Sequence, residues 1–159
     1  SLTMINDTRT HFTYDPETHT TYCEREVKHG KYYGEAKCHP NDWEFESKLV
    51  GEYYAYTRSM LKELSSNREE LRSQIKGLKH LYNILEQNPR VHYDSIECYT
   101  IRRQIKLMER DLADIRALIK TTKQELYEYM TAKDEFYKKL RKARRENNGN
   151  VEASNCVHD

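Results

Sequence analysis

The feature that most constrains the fold is a heptad pattern that runs through the second half of the chain. Its seam residues recur at alternating steps of four and three: Ile101, Ile105, Met108, Leu112, Ile115, Ile119, Thr122, Leu126, Tyr129, Phe136 and Leu140. Lys133 interrupts the seam once. Such a pattern is typical of a long helix that packs along one face against another helix. It ends near Arg145 and predicts a helix of about 50 residues, roughly 75 Å long.

A second long helix is predicted over residues 43–87. This stretch contains no proline, and its apolar positions include a ladder spaced by eleven residues: Leu49, Met60, Leu71 and Tyr82. An eleven-residue repeat keeps these side chains on one face of a nearly straight helix. Asn41 or Asp42 is the predicted N-cap.

The break between the two helices is short. Asn88-Pro89-Arg90 ends the first helix, and Asp94 followed by Glu97 resembles a capping box that starts the second. With the turn at 88–95, we expect an antiparallel hairpin, because short connections join antiparallel neighbours. That register places Leu71 beside Leu112 and Phe45 near Tyr137.

Residues 11–38 read as a three-stranded antiparallel meander. Asp15-Pro16-Glu17-Thr18 carries the residues of a type I turn, and His29-Gly30 suits a two-residue hairpin loop that would place Val27 opposite Tyr32. The alternation gives one apolar face and one polar face, so the sheet needs a covering element on one side only.

Together these segments predict an α+β fold: a small three-stranded antiparallel sheet packed on the base of a long antiparallel helical hairpin. The predicted division is an N-terminal meander (1–42), the hairpin (43–146) and a disordered tail (147–159), since Asn147-Asn148-Gly149-Asn150 disfavours a helix. Only 5 glycines and 3 prolines in 159 residues, with 33% charged residues, exclude a glycine-rich α/β enzyme core, a collagen-like chain and a proline-rich linker.

The chain also shows no targeting or catalytic signature. It has no apolar run long enough for a membrane span, no secretory leader pattern and no CxxC pair among its four cysteines, so we expect a cytoplasmic protein with free thiols. Nucleophile-elbow, Walker and HExxH motifs are absent. We therefore expect no enzymatic activity and no cofactor.

A zinc site is an alternative use of the meander. Cys23, Cys38 and His39 fall close together in it, with His19 or His29 as a fourth ligand. The spacing matches no zinc finger or ribbon, so buried structural thiols are the favoured interpretation and no metal is predicted.

The basic run at the end of the second helix is a candidate phosphate-binding site. It comprises Lys138, Lys139, Arg141, Lys142, Arg144 and Arg145, although the net charge of the whole chain is only +1. These side chains could contact nucleic acid. Lysine and arginine are equally expected at a helix C-terminus, where they complement the helix dipole.

The 13 tyrosines and a set of apolar residues off the seam suggest partner-binding surfaces. Tyr22, Tyr33 and Tyr54 are the predicted surface tyrosines, whereas Tyr53, Tyr56 and Tyr129 are predicted in the core. Leu107 and Leu118, with Val50 and Leu61 on the first helix, form a predicted second seam on the outside of the hairpin. That seam could dock on a partner protein or close a homodimer.

One segment carries a resemblance. Residues 34–42 follow a G-x-A-x-C-x-P-x-D strand-to-helix junction, and with Phe45, Ser47, Gly51 and Tyr56-Thr57-Arg58 they resemble small uncharacterised proteins of bacterial phages and mobile elements. The resemblance implies a phage accessory protein, and by analogy an inhibitor of host defence of the anti-CRISPR kind, acting in the host cytoplasm.

The predicted function is accordingly a non-catalytic interaction module that binds a host protein or ribonucleoprotein, such as a CRISPR nuclease. The alternatives are a nucleic-acid-binding accessory protein that uses the basic run and a structural coiled-coil adaptor.

Overall fold

The computed structural model describes residues 7–158, with side chains described for 9–149. Three strands come first: β1 (Asp7–Asp15), β2 (Thr20–Val27) and β3 (Gly30–Lys37). A 3-10 helix (Pro40–Phe45) leads to two long helices, α1 (Lys48–Glu86) and α2 (Ile96–His158). The predicted α+β fold is confirmed. Neither helix, over the described residues, combines the length and apolarity needed to cross a membrane.

The sheet has the order β1-β2-β3 with both pairs antiparallel. The first turn is confirmed, with the Asp15 carboxylate accepting from the Glu17 amide at 3.0 Å. The predicted second loop is wrong: Val27 pairs with Gly30, so Lys28 and His29 form the loop. The register differs from the prediction by two residues, which leaves each side chain on its predicted face because strand side chains alternate with a period of two.

The sheet packs on α1 at two glycines. A Cβ at Gly34 would lie 2.0 Å from the Ala55 carbonyl oxygen and 2.6 Å from the Ser59 amide nitrogen. At Gly51 it would lie 2.5 Å from Thr21 Oγ1. The elements therefore approach each other closely here, which only glycine permits.

A buried ion pair accompanies this packing. The Arg25 side chain is fully buried, and its Nη2 donates to Glu63 Oε1 at 2.8 Å. The Arg25 guanidinium also lies over the Tyr56 ring, 5.0 Å from its centroid. The sheet and α1 are thus joined by close backbone contact and by one desolvated charge pair.

The helices form the predicted antiparallel hairpin. The Phe45 and Tyr137 rings are 5.6 Å apart between centroids, as the register predicts, and Lys79 pairs with Glu109 at 3.1 Å farther along. Seam residues of both helices are buried: Leu64, Ile75, Cys98, Leu112, Ile119 and Leu126.

The helix ends differ from the prediction. α1 begins at Lys48, not at 43, because Ser47 is its N-cap and accepts from the Val50 amide at 3.3 Å. Ser95 Oγ, rather than Asp94, accepts from the amide of Cys98 in the first turn of α2.

The predicted stop at 147–150 is also wrong, because α2 continues to His158. Asparagine and glycine disfavour a helix by only about 1 kcal/mol each, and no proline is present to break it. Residues 147–158, predicted as a disordered tail, thus continue the helix, and Asp159 lies outside the described residues.

Candidate interaction surfaces

The far end of the hairpin carries a cluster of exposed apolar side chains. We call it the tip cluster: Leu81, Ile84, Tyr93, Ile96 and Tyr99, which are 44, 53, 65, 71 and 52% exposed. Two of these residues lie in the last turns of α1, two in the first turns of α2 and one in the connection between them. At 1.5 Å per residue, the 23 residues of α1 after Glu63 place this end about 35 Å along the helix from the contact of Glu63 with Arg25 in the sheet.

The connection at the tip is held by side-chain contacts. The Arg102 guanidinium lies 3.8 Å from the centroid of the Tyr93 ring and donates to the Tyr93 carbonyl at 2.9 Å. It also donates to the Tyr82 hydroxyl at 3.3 Å. At the start of the connection, Asn88 Oδ1 accepts from the Arg90 amide at 3.0 Å. Arg102 therefore fixes Tyr93 in its exposed position.

Sequence reasoning missed the tip cluster. The signal available was the position of Ile96 and Tyr99 off the heptad seam, and of Leu81 and Ile84 off the eleven-residue ladder, on both sides of the break. An apolar residue off the seam is often covered by a third element, however, and only the structure shows that none of the described residues covers these.

The outer face of the sheet is the second candidate surface. Tyr22 and Tyr33 are 42 and 55% exposed, as their place on the polar face predicts. They line a groove of about 290 Å³ together with His11 and Glu35. The structure therefore brings these two predicted residues together on one surface, and their role in partner binding stays a prediction.

Tyr54 was wrongly predicted to lie on the surface. It is 6% exposed and belongs to the core with Ala55 and Leu126, because α1 is covered here by the sheet on one side and by α2 on another. Its buried hydroxyl has no hydrogen-bond partner among the described residues. Burial raises the pKa of Tyr54, with Asp134 adding to the effect.

Two of the tyrosines predicted in the core are in fact partly exposed. Tyr53 and Tyr129 are 36 and 40% exposed, and their rings lie 4.4 Å apart between centroids. Tyr56 is only partly buried and packs against the core. The tyrosines do gather at the sheet end, as predicted, and Tyr54 and Tyr137 are the buried ones among them.

The basic run is only partly free. Arg141 pairs with Asp42 at 2.5 Å, and Arg144 pairs with Glu44, so two of the six cations hold the 3-10 helix against α2. The other four side chains are exposed: Lys138, Lys139, Lys142 and Arg145. Two arginines of the run thus hold the 3-10 helix, and the four other cations form an exposed positively charged surface.

Of the four residues predicted to form an outer seam, the two on α1 and the two on α2 have different surroundings. Val50 and Leu61 pack against the core beside Tyr54, so their assignment to an outer seam is wrong. Leu107 is 45% exposed, and Leu118 lines a groove between the helices. α2 therefore carries this apolar stripe without a matching stripe on α1.

The junction of sheet and 3-10 helix forms a cleft of about 390 Å³ that includes Glu46. The Tyr14 hydroxyl donates to Glu46 at 2.7 Å, which raises the pKa of Tyr14 to about 12. His19 Nδ1 lies 2.6 Å from the same carboxylate, and the His19 ring stacks on Trp43 at 4.0 Å. These contacts anchor the 3-10 helix to the sheet.

The meander thiols do not form a metal centre in the part of the chain that the structure describes, since no three histidine, cysteine or acidic side chains converge there. Cys23 is buried with its Sγ 3.8 Å from Ser59 Oγ. Cys38 lines the cleft around Glu46, and desolvation raises the pKa of its thiol, with Glu46 adding to the effect. Cys23 therefore belongs to the core, and Cys38 to the lining of the cleft.

Comparison with known proteins adds no further assignment. No protein-family model matches the chain, and no curated protein or solved structure matches it either.

Proposed function

We propose that this chain is a non-catalytic protein-interaction module that binds an apolar surface of a partner protein through the tip cluster. The observation that carries the proposal is the concentration of five exposed large apolar side chains at one end of the hairpin. Large apolar side chains that are exposed to water in the same region are costly and often mark interaction sites in soluble proteins.

The composition of the tip fits a binding surface. Interface centres favour aromatic and aliphatic side chains that are held in place before binding, because less conformational entropy is then lost. Tyr93 is held by Arg102, while Ile84, Ile96 and Tyr99 project from helices. A hairpin end that extends about 35 Å beyond the contact of Glu63 with Arg25 in the sheet can also enter a recess that a globular surface cannot reach.

The test is a set of matched variants in an affinity capture from a nuclease-treated bacterial lysate. Ile84→Glu plus Ile96→Glu should abolish capture of the specific partner while leaving the melting temperature within about 2 °C, since both side chains are exposed. Tyr22→Ser plus Tyr33→Ser is the control on the sheet face. If the tip variant still captures the partner and the sheet variant does not, the outer face of the sheet, and not the tip cluster, is the binding surface.

The narrower proposal is that the module is phage-encoded and inhibits a host nucleoprotein such as a CRISPR nuclease. It is supported by the resemblance of residues 33–58 alone. The test is target-DNA cleavage by a purified CRISPR nuclease with increasing amounts of the chain. Inhibition that the tip variant loses would support the proposal, and unchanged cleavage by a panel of such nucleases would contradict it.

The alternative function is nucleic-acid binding by the basic run. Its specific support is the exposure of Lys138, Lys139, Lys142 and Arg145 on α2. Binding of a labelled oligonucleotide should then weaken steeply with salt, and Lys138→Ala plus Lys142→Ala should reduce that slope by about 2. A partner bound through apolar contacts should instead lose little affinity with salt.

A further inference from the structure

β1 is an edge strand whose outward backbone groups have no neighbouring strand. The sheet order β1-β2-β3 leaves one side of β1 open. Val27 and Gly30 flank a two-residue loop and so form a hydrogen-bonded pair, and along each strand such residues alternate with residues that point the other way. Followed across β2, this alternation points the N–H and C=O groups of Thr10, Phe12 and Tyr14 to the open side. Among the described residues, no backbone group outside β2 bonds to them.

The opposite edge of the sheet is protected, whereas β1 is not. On the open side of β3, the Glu35 carbonyl accepts from Arg58 of α1 at 2.7 Å, and this strand carries Lys31 and Lys37. Natural sheets use such covering contacts and lysines to prevent edge pairing. β1 contains neither lysine nor proline, its one irregularity lies at its first residues, and α1 packs on β2 and β3 instead. Residues 9–15 are therefore a regular edge that is open to another strand.

The sequence of this edge is complementary to itself in antiparallel orientation. If Phe12 is paired with Phe12 of a second copy, Thr10 lies opposite Tyr14 and Arg9 lies opposite Asp15. The residues whose backbone groups point outward then face one another, so each of those N–H and C=O groups gains a partner. A two-fold axis at Phe12 repeats every pair, as an interface between identical copies requires.

The charges on the outer face match in the same register. Lys31, Glu26 and Arg9 lie side by side across β3, β2 and β1, so their charges alternate in sign. Asp15 of the second copy comes next in this row and continues the alternation. Its carboxylate accepts from the Glu17 amide in the turn and retains further acceptor sites for the exposed Arg9. Opposite charges directly across two strands stabilise their pairing, so this edge fits a second copy of itself.

We propose that two copies of the chain pair through β1 about a two-fold axis at Phe12 and form one continuous antiparallel sheet. Phe12 packs against the core of its own copy, so the two Phe12 rings are cross-strand neighbours on the inner face. Pairing of two short strands buries less area than a standard interface, so the dimer is weak and forms at hundreds of micromolar.

The first test is a disulfide that forms in this register alone. His11 and Thr13 are exposed on the outer face and lie opposite each other as a non-hydrogen-bonded pair, whose Cα atoms are about 4.5 Å apart, within the range for disulfides. His11→Cys is mixed with Thr13→Cys at hundreds of micromolar and oxidised, both with Cys38→Ser and Cys156→Ser. The mixture should give a dimer that links the two variants. Each variant alone is the matched control and should link poorly, because its two cysteines are diagonal neighbours about 7–8 Å apart.

The second test reverses the charges and is measured by sedimentation equilibrium. Arg9→Glu should weaken the dimer about tenfold, because two attractive pairs become two repulsive ones, and Asp15→Lys should do the same. A mixture of the two variants should dimerise as the wild type does, since each side chain at position 9 again faces an opposite charge at position 15. Circular dichroism of each variant alone monitors the fold, because Asp15 also serves the turn.

A monomer mass for the wild type at hundreds of micromolar overturns the proposal. Crosslinking of the mixed cysteine variants that does not exceed that of either variant alone also overturns it, because the copies then meet in another register or through another surface. Folded charge variants that dimerise as strongly as the wild type would place the interface away from β1. None of these results depends on the tip cluster, so failure here leaves the proposed function standing.

Discussion

The contact of Gly34 with α1 makes the sharpest prediction about stability. A Cβ in Gly34→Ala would lie 2.0 Å from the Ala55 carbonyl oxygen and 3.0 Å from the Ala55 carbonyl carbon. Both are backbone atoms, so no rotamer change can relieve the clash. β3 must move from α1 by about 1 Å or more, and a gap of that size forfeits a quarter to a half of each van der Waals contact across it.

The expected loss of stability for Gly34→Ala is about 3 kcal/mol. Overpacking costs about 1–3 kcal/mol, and the high end applies because the helix backbone itself obstructs. Replacing glycine also lowers the entropy of the unfolded chain, which stabilises the fold by about 0.4–1 kcal/mol. This gain is too small to offset the overpacking, so the substitution remains destabilising. For a chain of this size, the melting temperature should fall by about 6–12 °C.

The matched control for this substitution is Gly77→Ala. Gly77 lies within α1 and has no atom within 4 Å of its ideal Cβ, so alanine there should raise stability by about 0.5–1 kcal/mol. Urea unfolding followed by circular dichroism measures both variants. If Gly34→Ala unfolds at the wild-type midpoint, the close packing of sheet on α1 is refuted.

Three further substitutions test the core and the tip. Arg25→Met should cost about 3–5 kcal/mol in urea unfolding because Glu63 is left buried without its partner, and adding Glu63→Leu should recover most of this loss. Tyr54→Phe should leave stability unchanged or raise it by about 1 kcal/mol at pH 7, since the buried hydroxyl has no partner among the described residues. Because the pKa of Tyr54 is raised above its ordinary value of 10.0, the wild type should lose stability as pH rises above 10, and the variant should lose less. Arg102→Ala should make amide exchange at 91–99 about fivefold faster by releasing Tyr93, and unchanged exchange would contradict the contact.

Periodicity predicted the architecture because it records which face of each element is buried. The seam of α2 and the ladder of α1 predicted the hairpin and its register, including Phe45 beside Tyr137. The loop between β2 and β3 was mispredicted because Gly30 can serve in a turn or in a strand, and local sequence does not decide between them. The faces of Tyr22 and Tyr33 were still predicted correctly because the shift was by two residues.

Surface exposure was harder to predict than architecture. If only the packing of the two helices is considered, Tyr54 is predicted to lie on the surface. In the structure the sheet covers α1 at this position and buries the Tyr54 side chain. Conversely, the tip residues read as ordinary apolar residues near a helix break, and their exposure depends on the absence of a covering element among the described residues. Both errors arise from tertiary context, which one helix pattern does not contain.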